Sequence, residues 1–169
     1  TQKVKYFLKE RLLLKVMTKF LFTFIFLLFS NFSYTESYVK AGGSLIWDTQ
    51  NKSYTANGDV EFQNDSFIAF SDEMIAQYIE QGGKEVFIIV ELFKNVKIEF
   101  EDEIFRGKYA IYTRKNNIIR LKGDVSIESP SRLLRGYELI ADIDNNKRIL
   151  NSENADSLVE VLLDNNADN

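Results

Sequence analysis

The chain reads GDVEF at residues 58–62, KNVKI at 94–98 and GDVSI at 123–127, three variants of one pattern. The three copies remain aligned beyond these stretches: in each copy, a small residue follows the valine by eleven positions. Those valines are Val60, Val96 and Val125, and the small residues are Ser71, Gly107 and Gly136. Each copy is interpreted as a turn, a short strand, a polar turn and a second strand. Such β repeats bury their apolar faces only by stacking, so the repeats predict one continuous sheet core.

The remainder of the body also shows strand patterns separated by polar turns. SLIWD at 44–48, the apolar run at 86–93 and the run at 158–163 are candidate strands, and DTQNK at 48–52 is typical of a turn. No apolar run with a period of 3.6 residues reaches three helical turns. The pattern therefore predicts a dozen or more strands of about five residues, in a sandwich, barrel or jelly roll.

Composition limits what the chain can do. Its 169 residues suit one domain. Residues 1–35 carry six Lys or Arg and one Glu, which leaves 15 basic and 24 acidic side chains in residues 36–169. An acidic body without a basic stripe argues against nucleic acid as a partner. The chain has no Cys and no His, so thiol and imidazole catalysis and ordinary zinc sites are excluded.

The N-terminal region has the pattern of an export signal. Residues 1–16 form a basic lead-in of uncertain role, Met17 is the natural start, and FLFTFIFLLF at 20–29 carries no charge. Small polar residues follow, so residues 17–36 are predicted to be a hydrophobic signal helix that is cleaved between Ser33 and Ser37. The alternative is an uncleaved anchor, with the apolar run extended by residues 12–16. Either outcome places residues 37–163, and the polar tail at 164–169, outside the cytoplasm.

Neither acidic pattern in the body predicts a catalytic or metal site. Glu99, Glu101, Asp102 and Glu103 could work as paired carboxylates, but they follow a strand where a solvated hairpin tip is expected. The spacing of the acidic and amide residues in 142–153 resembles a calcium loop. That loop requires glycine at its sixth position and helices on both sides, whereas the chain has Lys147 and strand patterns. No catalytic residue, metal or cofactor is predicted.

The most informative feature is an excess of bulky apolar residues on one strand face. This face is either an ordinary core or, in a fold that does not fully close, a groove for an acyl chain. The candidate lipid-binding residues are Val60, Phe62, Met74, Ile98, Ile104, Tyr112, Val125, Ile127 and Leu139.

Two parts of the repeat resemble a known family. YTANGDVEF at 54–62 with SDEM at 71–74, and LKGDVSI at 121–127 with RGYELIADI at 135–143, are similar to the OstA-like repeat of the LptA family. In that repeat a strand with x-Gly-Asn/Asp-Val precedes a strand with Ala/Gly-Asp-x-hydrophobic. The similarity covers about residues 43–163, and the copy at 94–98 departs from it by lacking the turn glycine.

This resemblance implies a half-open β-jellyroll of stacked short antiparallel strands that holds the lipid A acyl chains of lipopolysaccharide. It implies a periplasmic transport protein and no enzyme. Its partners would be further copies of the chain and other β-jellyroll components at the inner and outer membranes. One alternative is a membrane-anchored, LptC-like component of the same machinery. A second is a secreted β-sandwich carbohydrate-binding or hydrolase module.

The end strands predict self-association independently of the family. Residues 44–48 and 157–163 contain no Lys or Pro, and the latter stretch is apolar on both faces. Free backbone groups on such unprotected edges template pairing with another chain. The candidate assembly residues are Leu45, Trp47, Val159 and Val161. Because the two ends differ, pairing is expected to be head-to-tail and non-closing.

Overall fold

The computed structural model describes residues 37–163, which contain ten β-strands, one short 3₁₀ turn and no α-helix. The strands are β1 (Tyr38–Lys40), β2 (Ser44–Asp48), β3 (Ser53–Gln63), β4 (Ile68–Gln81), β5 (Lys84–Phe100), β6 (Glu103–Thr113), β7 (Ile118–Ser129), β8 (Arg132–Asp142), β9 (Lys147–Asn151) and β10 (Glu160–Leu163). The 3₁₀ turn is Arg114–Asn116. The predicted all-β fold is confirmed. The predicted signal helix and the polar tail lie outside the described residues.

The sheet is an antiparallel meander with two half-length strands at each edge. β3 to β8 pair in chain order. At one edge, β2 pairs with residues 53–57 of β3 and β1 with residues 61–63. At the other edge, β9 pairs with residues 138–142 of β8 and β10 with residues 132–135. Every long strand therefore has two halves, and each edge carries a separate short strand for each half.

The halves are separated by a line of β-bulges that crosses the sheet. The register shifts between Asn57 and Val60, and equivalent shifts occur in all five pairs from β3/β4 to β7/β8. Stacked bulges bend a sheet, and here they form what we call the fold line. Phe62, beyond the fold line, packs against Phe87, before it, with ring centroids 5.9 Å apart. The sheet is thus folded on itself into two facing layers, a half-open β-jellyroll.

We name these layers by the edge strands that they contain. The first layer holds β2, β9 and the halves of β3 to β8 that lie between them. The second layer holds β1, β10 and the other halves. We call the rim opposite the fold line the mouth. There Glu103, next to the second-layer turn 101–102, contacts Arg148, which follows the first-layer turn 143–146.

The two residues before the valine of each repeat create the fold line. Gly58 and Asp59 have φ of 78° and 43°, Gly123 and Asp124 have 81° and 50°, and Lys94 and Asn95 have 61° and 48°. These left-handed pairs lie inside β3, β7 and β5, with the chain continuing in the same direction. The prediction of a turn at each copy is therefore wrong, as is the prediction of many five-residue strands. Two successive left-handed residues occur both in hairpin turns and in bulges. Here each strand pairs with the same neighbouring strand before and after the two residues, so they form a bulge.

Candidate functional site

The candidate site is the apolar interior between the two layers. Eight of the nine predicted lipid-binding residues lie in it, each at most 6% exposed: Val60, Phe62, Met74, Ile98, Tyr112, Val125, Ile127 and Leu139. Burying a side chain of this size contributes roughly 1.5–3 kcal/mol to folding. The structure thus brings these residues together as one packed core, without an open groove along them.

Ile104 is the exception among the predicted residues. It pairs with Glu99 and Glu128 on the outer face. Its neighbour Phe105, fully buried, takes the inner position between Ile98 and Ile127. The sequence places two apolar residues side by side here, and only the pairing register decides which one faces inward.

Several interior residues were missed by the sequence reasoning. Val90, Leu92, Ile119 and Leu121 lie in runs that are apolar at most positions, which hides the alternation. Phe67 lies in the turn between β3 and β4, where an outward side chain would be the default. The Oδ1 atom of Asn64 accepts hydrogen bonds from the N–H groups of Ser66 and Phe67, at 2.9 and 3.0 Å, and so fixes this turn. The Asn-Asp-Ser sequence before Phe67 was the available signal for such a turn.

Contacts between the two layers close the mouth. The ring of Phe67, from the second layer, meets the ring of Tyr112, from the first, edge-on with centroids 5.0 Å apart. Further along the rim, Arg148 Nε of β9 donates to Glu103 Oε2 of β6 at 2.9 Å. Burial raises the pKa of Tyr112, and its hydroxyl donates to Asn117 Oδ1. Aromatic contacts and an ion pair thus close the interior along this rim.

The ion pair belongs to a small cluster of one carboxylate and two guanidinium groups. The side chains of Glu103 and Arg148 are only 11% and 13% exposed, and Arg132 Nη2 lies 3.5 Å from Glu103 Oε1. The Arg148 guanidinium lies over the rings of Phe100 and Phe105, at 4.9 and 5.4 Å from their centroids. The prediction of a solvated hairpin tip fits Glu101 and Asp102, which are exposed, but is wrong for Glu103.

The interior reaches the surface at the β1/β2 edge. Leu45 and Trp47, 49% and 56% exposed, pair with Ala56 and Tyr54 and therefore share the inner face of the first layer. Trp47 stacks on Tyr54 with centroids 6.1 Å apart, and its Nε1 donates to the Tyr78 hydroxyl at 3.0 Å. Burial, with a hydrogen bond to Glu85, raises the pKa of Tyr54 to about 12. The predicted assembly residues Leu45 and Trp47 are thus exposed at an open end of the apolar interior.

The β9/β10 edge is the second open end. Val161, 55% exposed, pairs with Leu134, whose side chain packs against the core. Val159 is exposed too, but β10 begins at Glu160, so the prediction that places Val159 within the last strand is wrong. A cavity of about 460 Å³ lies between the β7/β8 bulge and the segment leading into β10, and its lining includes Arg135, Leu158 and Glu160.

The first acidic residue of the calcium-like pattern, Asp142, stabilises its own turn. The carboxylate of Asp142 accepts from the side-chain and backbone N–H groups of Asn145, which lowers its pKa. Within residues 37–163, no three acidic side chains are grouped in a way that could hold a metal ion. Over the same residues, no helix has the length and apolar character needed to cross a membrane.

Comparison with known proteins agrees with the fold and the repeats. Residues 41–147 match the family model described as "LptA/(LptD N-terminal domain) LPS transport protein". One similar solved structure is LptH from Pseudomonas aeruginosa, described as the LptA homologous periplasmic component of the lipopolysaccharide transport device. It superposes with a TM-score of 0.65 at 12% identity, over 77% of this chain and 96% of that chain. No similar sequence was found among curated proteins.

At 12% identity the superposition shows a shared fold, whereas the family match extends over most of the chain. The resemblance noted in the repeats is confirmed. That family consists of transport components and not of enzymes. The chain belongs to the family of lipopolysaccharide transport proteins formed by LptA and the LptD N-terminal domain.

Proposed function

We propose that the protein binds lipopolysaccharide in the periplasm and shields the lipid A acyl chains between its two layers during transport. The observation that carries this proposal is the apolar interior, which is continuous from the exposed Leu45 and Trp47 to the exposed Val161. A monomeric core has no need of exposed apolar ends, whereas a conduit for acyl chains does.

Acyl chains gain access when the two layers separate at the mouth. The aromatic contact between Phe67 and Tyr112 is worth about 0.5–1.5 kcal/mol beyond its buried area. Each methylene group that leaves water contributes roughly 0.8 kcal/mol, so inserting two such groups offsets the loss of that contact. The Glu103–Arg148 ion pair is a further contact across the rim.

The two open ends support head-to-tail assembly that bridges the inner and outer membranes. β1 and β2 end the two layers on one side, and β9 and β10 end them on the other. Within residues 37–163, each of these half-strands pairs on one side only, which leaves backbone groups free to template pairing. Joining the β9/β10 edge of one copy to the β1/β2 edge of the next extends both layers. The inner faces at Trp47 and Val161 then make the apolar interior continuous between copies, and the other β-jellyroll components of the machinery fit the same edges.

Residues 17–36 decide between a free periplasmic protein and an anchored, LptC-like component. We propose export followed by cleavage between Ser33 and Ser37. Mass spectrometry of the protein recovered from the cell envelope gives its first residue. An intact N-terminus that fractionates with membranes would reassign the protein to the anchored component.

Photo-crosslinking tests lipid binding directly. A photoreactive residue at Phe62, Ile98 or Ile127 should capture lipopolysaccharide, because all three side chains face the interior. The matched controls are the next residues along the same strands, whose side chains point to the outer face: Glu61, Lys97 and Ser126. Each variant is first checked for β structure by circular dichroism. Equal capture at both sets, or at neither, contradicts the proposal.

A further inference from the structure

The mouth contains a guanidinium group with an unused donor. Arg148 Nε donates to Glu103 and Nη1 to the carbonyl oxygens of Asp142 and Lys147, while Nη2 is buried and has no hydrogen-bond partner among residues 37–163. A buried polar atom without a partner is costly, and such cases in a folded protein call for an explanation. An anionic ligand would supply the missing acceptor.

The charges of the same cluster also require an anion. Glu103 is shared by Arg148 and Arg132, and the nearby carboxylate of Asp142 is shared by Arg148 and Lys147, so two negative charges face three positive charges. Guanidinium groups bind carboxylate and phosphate oxygens in pairs of parallel hydrogen bonds. One further anionic group would balance the positive charge of the cluster. Its oxygen could accept a hydrogen bond from Arg148 Nη2, which does not bind Glu103.

The position of the cluster matches an amphiphile. Phe100 and Phe105 lie directly behind the Arg148 guanidinium and line the apolar interior, while Arg132 is half-exposed at the rim. A ligand with its acyl chains among the aromatic rings would hold its headgroup at this rim. The body as a whole is acidic, so this local excess of positive charge is not part of a general basic surface.

We propose that Arg148 and Arg132 form a subsite for the phosphate group of an acylated amphiphile, and that Glu103 is the resident anion which the phosphate displaces. This inference rests on the proposed lipid-binding function. Displacement of Glu103 breaks the ion pair that joins the two layers, so binding of the headgroup opens the mouth for the acyl chains. Without the ligand, the pair keeps the interior closed to water.

The test measures the binding of two lipids to the full chain: bis-phosphorylated lipid A and the same lipid without phosphates. The wild type should prefer the phosphorylated lipid, and Arg148→Gln should reduce that preference by at least about tenfold, the usual effect of losing a charged hydrogen bond. Arg148→Lys should restore only part of it. Arg106→Gln, which removes an exposed ion pair with Glu128 on the outer face, is the matched control and should change nothing.

Glu103→Gln distinguishes competition between Glu103 and the phosphate group from a merely structural role of Glu103. Removing the competing anion should raise affinity for the phosphorylated lipid more than for the dephosphorylated lipid, which gains only from the loss of the ion pair across the mouth. An equal loss of affinity for both lipids in Arg148→Gln, or no change in affinity for either, would overturn the proposed phosphate subsite. The proposal that the interior binds acyl chains would stand. Failure of the wild type to bind either lipid would instead overturn the proposed function with it. Competition by micromolar inorganic phosphate would assign the site to free phosphate and overturn its assignment to a headgroup.

Discussion

Val96 pairs with Gly107 on the second-layer side of the fold line, immediately after the left-handed residues Lys94 and Asn95. The same relationship joins Val60 to Ser71 and Val125 to Gly136. At the last of these, a Cβ atom on the glycine would lie 2.8 Å from Leu150 Cγ, so glycine allows β9 to approach. Three bulges with one geometry therefore bend the sheet, and each is followed by a valine opposite a small residue.

The left-handed conformation of Lys94 is expected to cost stability. Left-handed backbone disfavours residues with a Cβ by roughly 1–2 kcal/mol, and glycine avoids this cost. Lys94→Gly should therefore be more stable than Lys94→Ala by about 1 kcal/mol, because both lose the exposed ion pair with Glu73 and only alanine keeps the strain. Urea unfolding measures the difference. At Lys97, in ordinary strand conformation, glycine should be the less stable of the two, and the same order at both positions would contradict the explanation.

Asp142 makes the β8/β9 hairpin sensitive to acid. Its pKa is lowered chiefly by the hydrogen bonds from Asn145. A lowered pKa in the folded state means that the carboxylate stabilises the fold above its usual pKa, and that this contribution is lost as pH falls through the lowered value. Wild type should therefore be more stable than Asp142→Asn near pH 6, and the gap should close as the pH falls below 4 (about the usual pKa of Asp). The urea midpoints of the two proteins over this pH range measure the difference in stability. A difference that stays constant with pH would show that the charge of Asp142 is not involved.

The residue pattern predicted much of the fold and of the interior, and the failures have local causes. Strict alternation placed Phe62, Ile98 and Ile127 on the inner face. Where two apolar residues are adjacent, as at Ile104 and Phe105, alternation does not show which of the two side chains faces the interior. The register with β5 and β7 then decides.

Two other features depend on contacts between distant parts of the chain. Glu103 follows polar residues and resembles part of a solvated hairpin tip, but Arg148, 45 residues later, pairs with it and buries it. Gly58 and Asp59 have dihedral angles that also suit a hairpin turn. Only the continuation of β3 beside β4 makes them a bulge.

A covalent bridge across the mouth should prevent lipid entry. Asp65 and Arg114 are exposed, and both are near enough to the Tyr112 hydroxyl to influence its pKa, which Asp65 raises and Arg114 lowers. Because the chain has no cysteine, Asp65→Cys/Arg114→Cys would carry the only two thiols. Joining them with a bis-maleimide should abolish lipopolysaccharide capture at Ile127 without changing the core. The unreacted double variant and each single variant treated with the reagent are the controls. Full capture by the bridged protein would show that acyl chains enter through the open ends instead.

Edge-to-edge assembly predicts different effects for two neighbouring residues of β2. Leu45 and Ile46 have similar exposure, 49% and 58%, but only Leu45 is on the inner face. If joined copies share one apolar interior, Leu45→Lys should weaken association much more than Ile46→Lys. Sedimentation velocity over a range of protein concentrations measures the effect. Equal weakening would mean that the joint involves backbone pairing without a shared interior.

The direction of assembly can be tested by blocking one end at a time. Proline in an edge strand removes a backbone donor, so Val161→Pro should block the β10 end and Ile46→Pro the β2 end. In head-to-tail assembly, each variant keeps one functional end that fits only the functional end of the other variant. Each alone should therefore be monomeric, and an equimolar mixture should form dimers and nothing larger. Isologous pairing, in which like ends meet, would instead give dimers of each variant alone. A wild type that stays monomeric at high concentration, alone and with partner components, would rule out assembly through either edge.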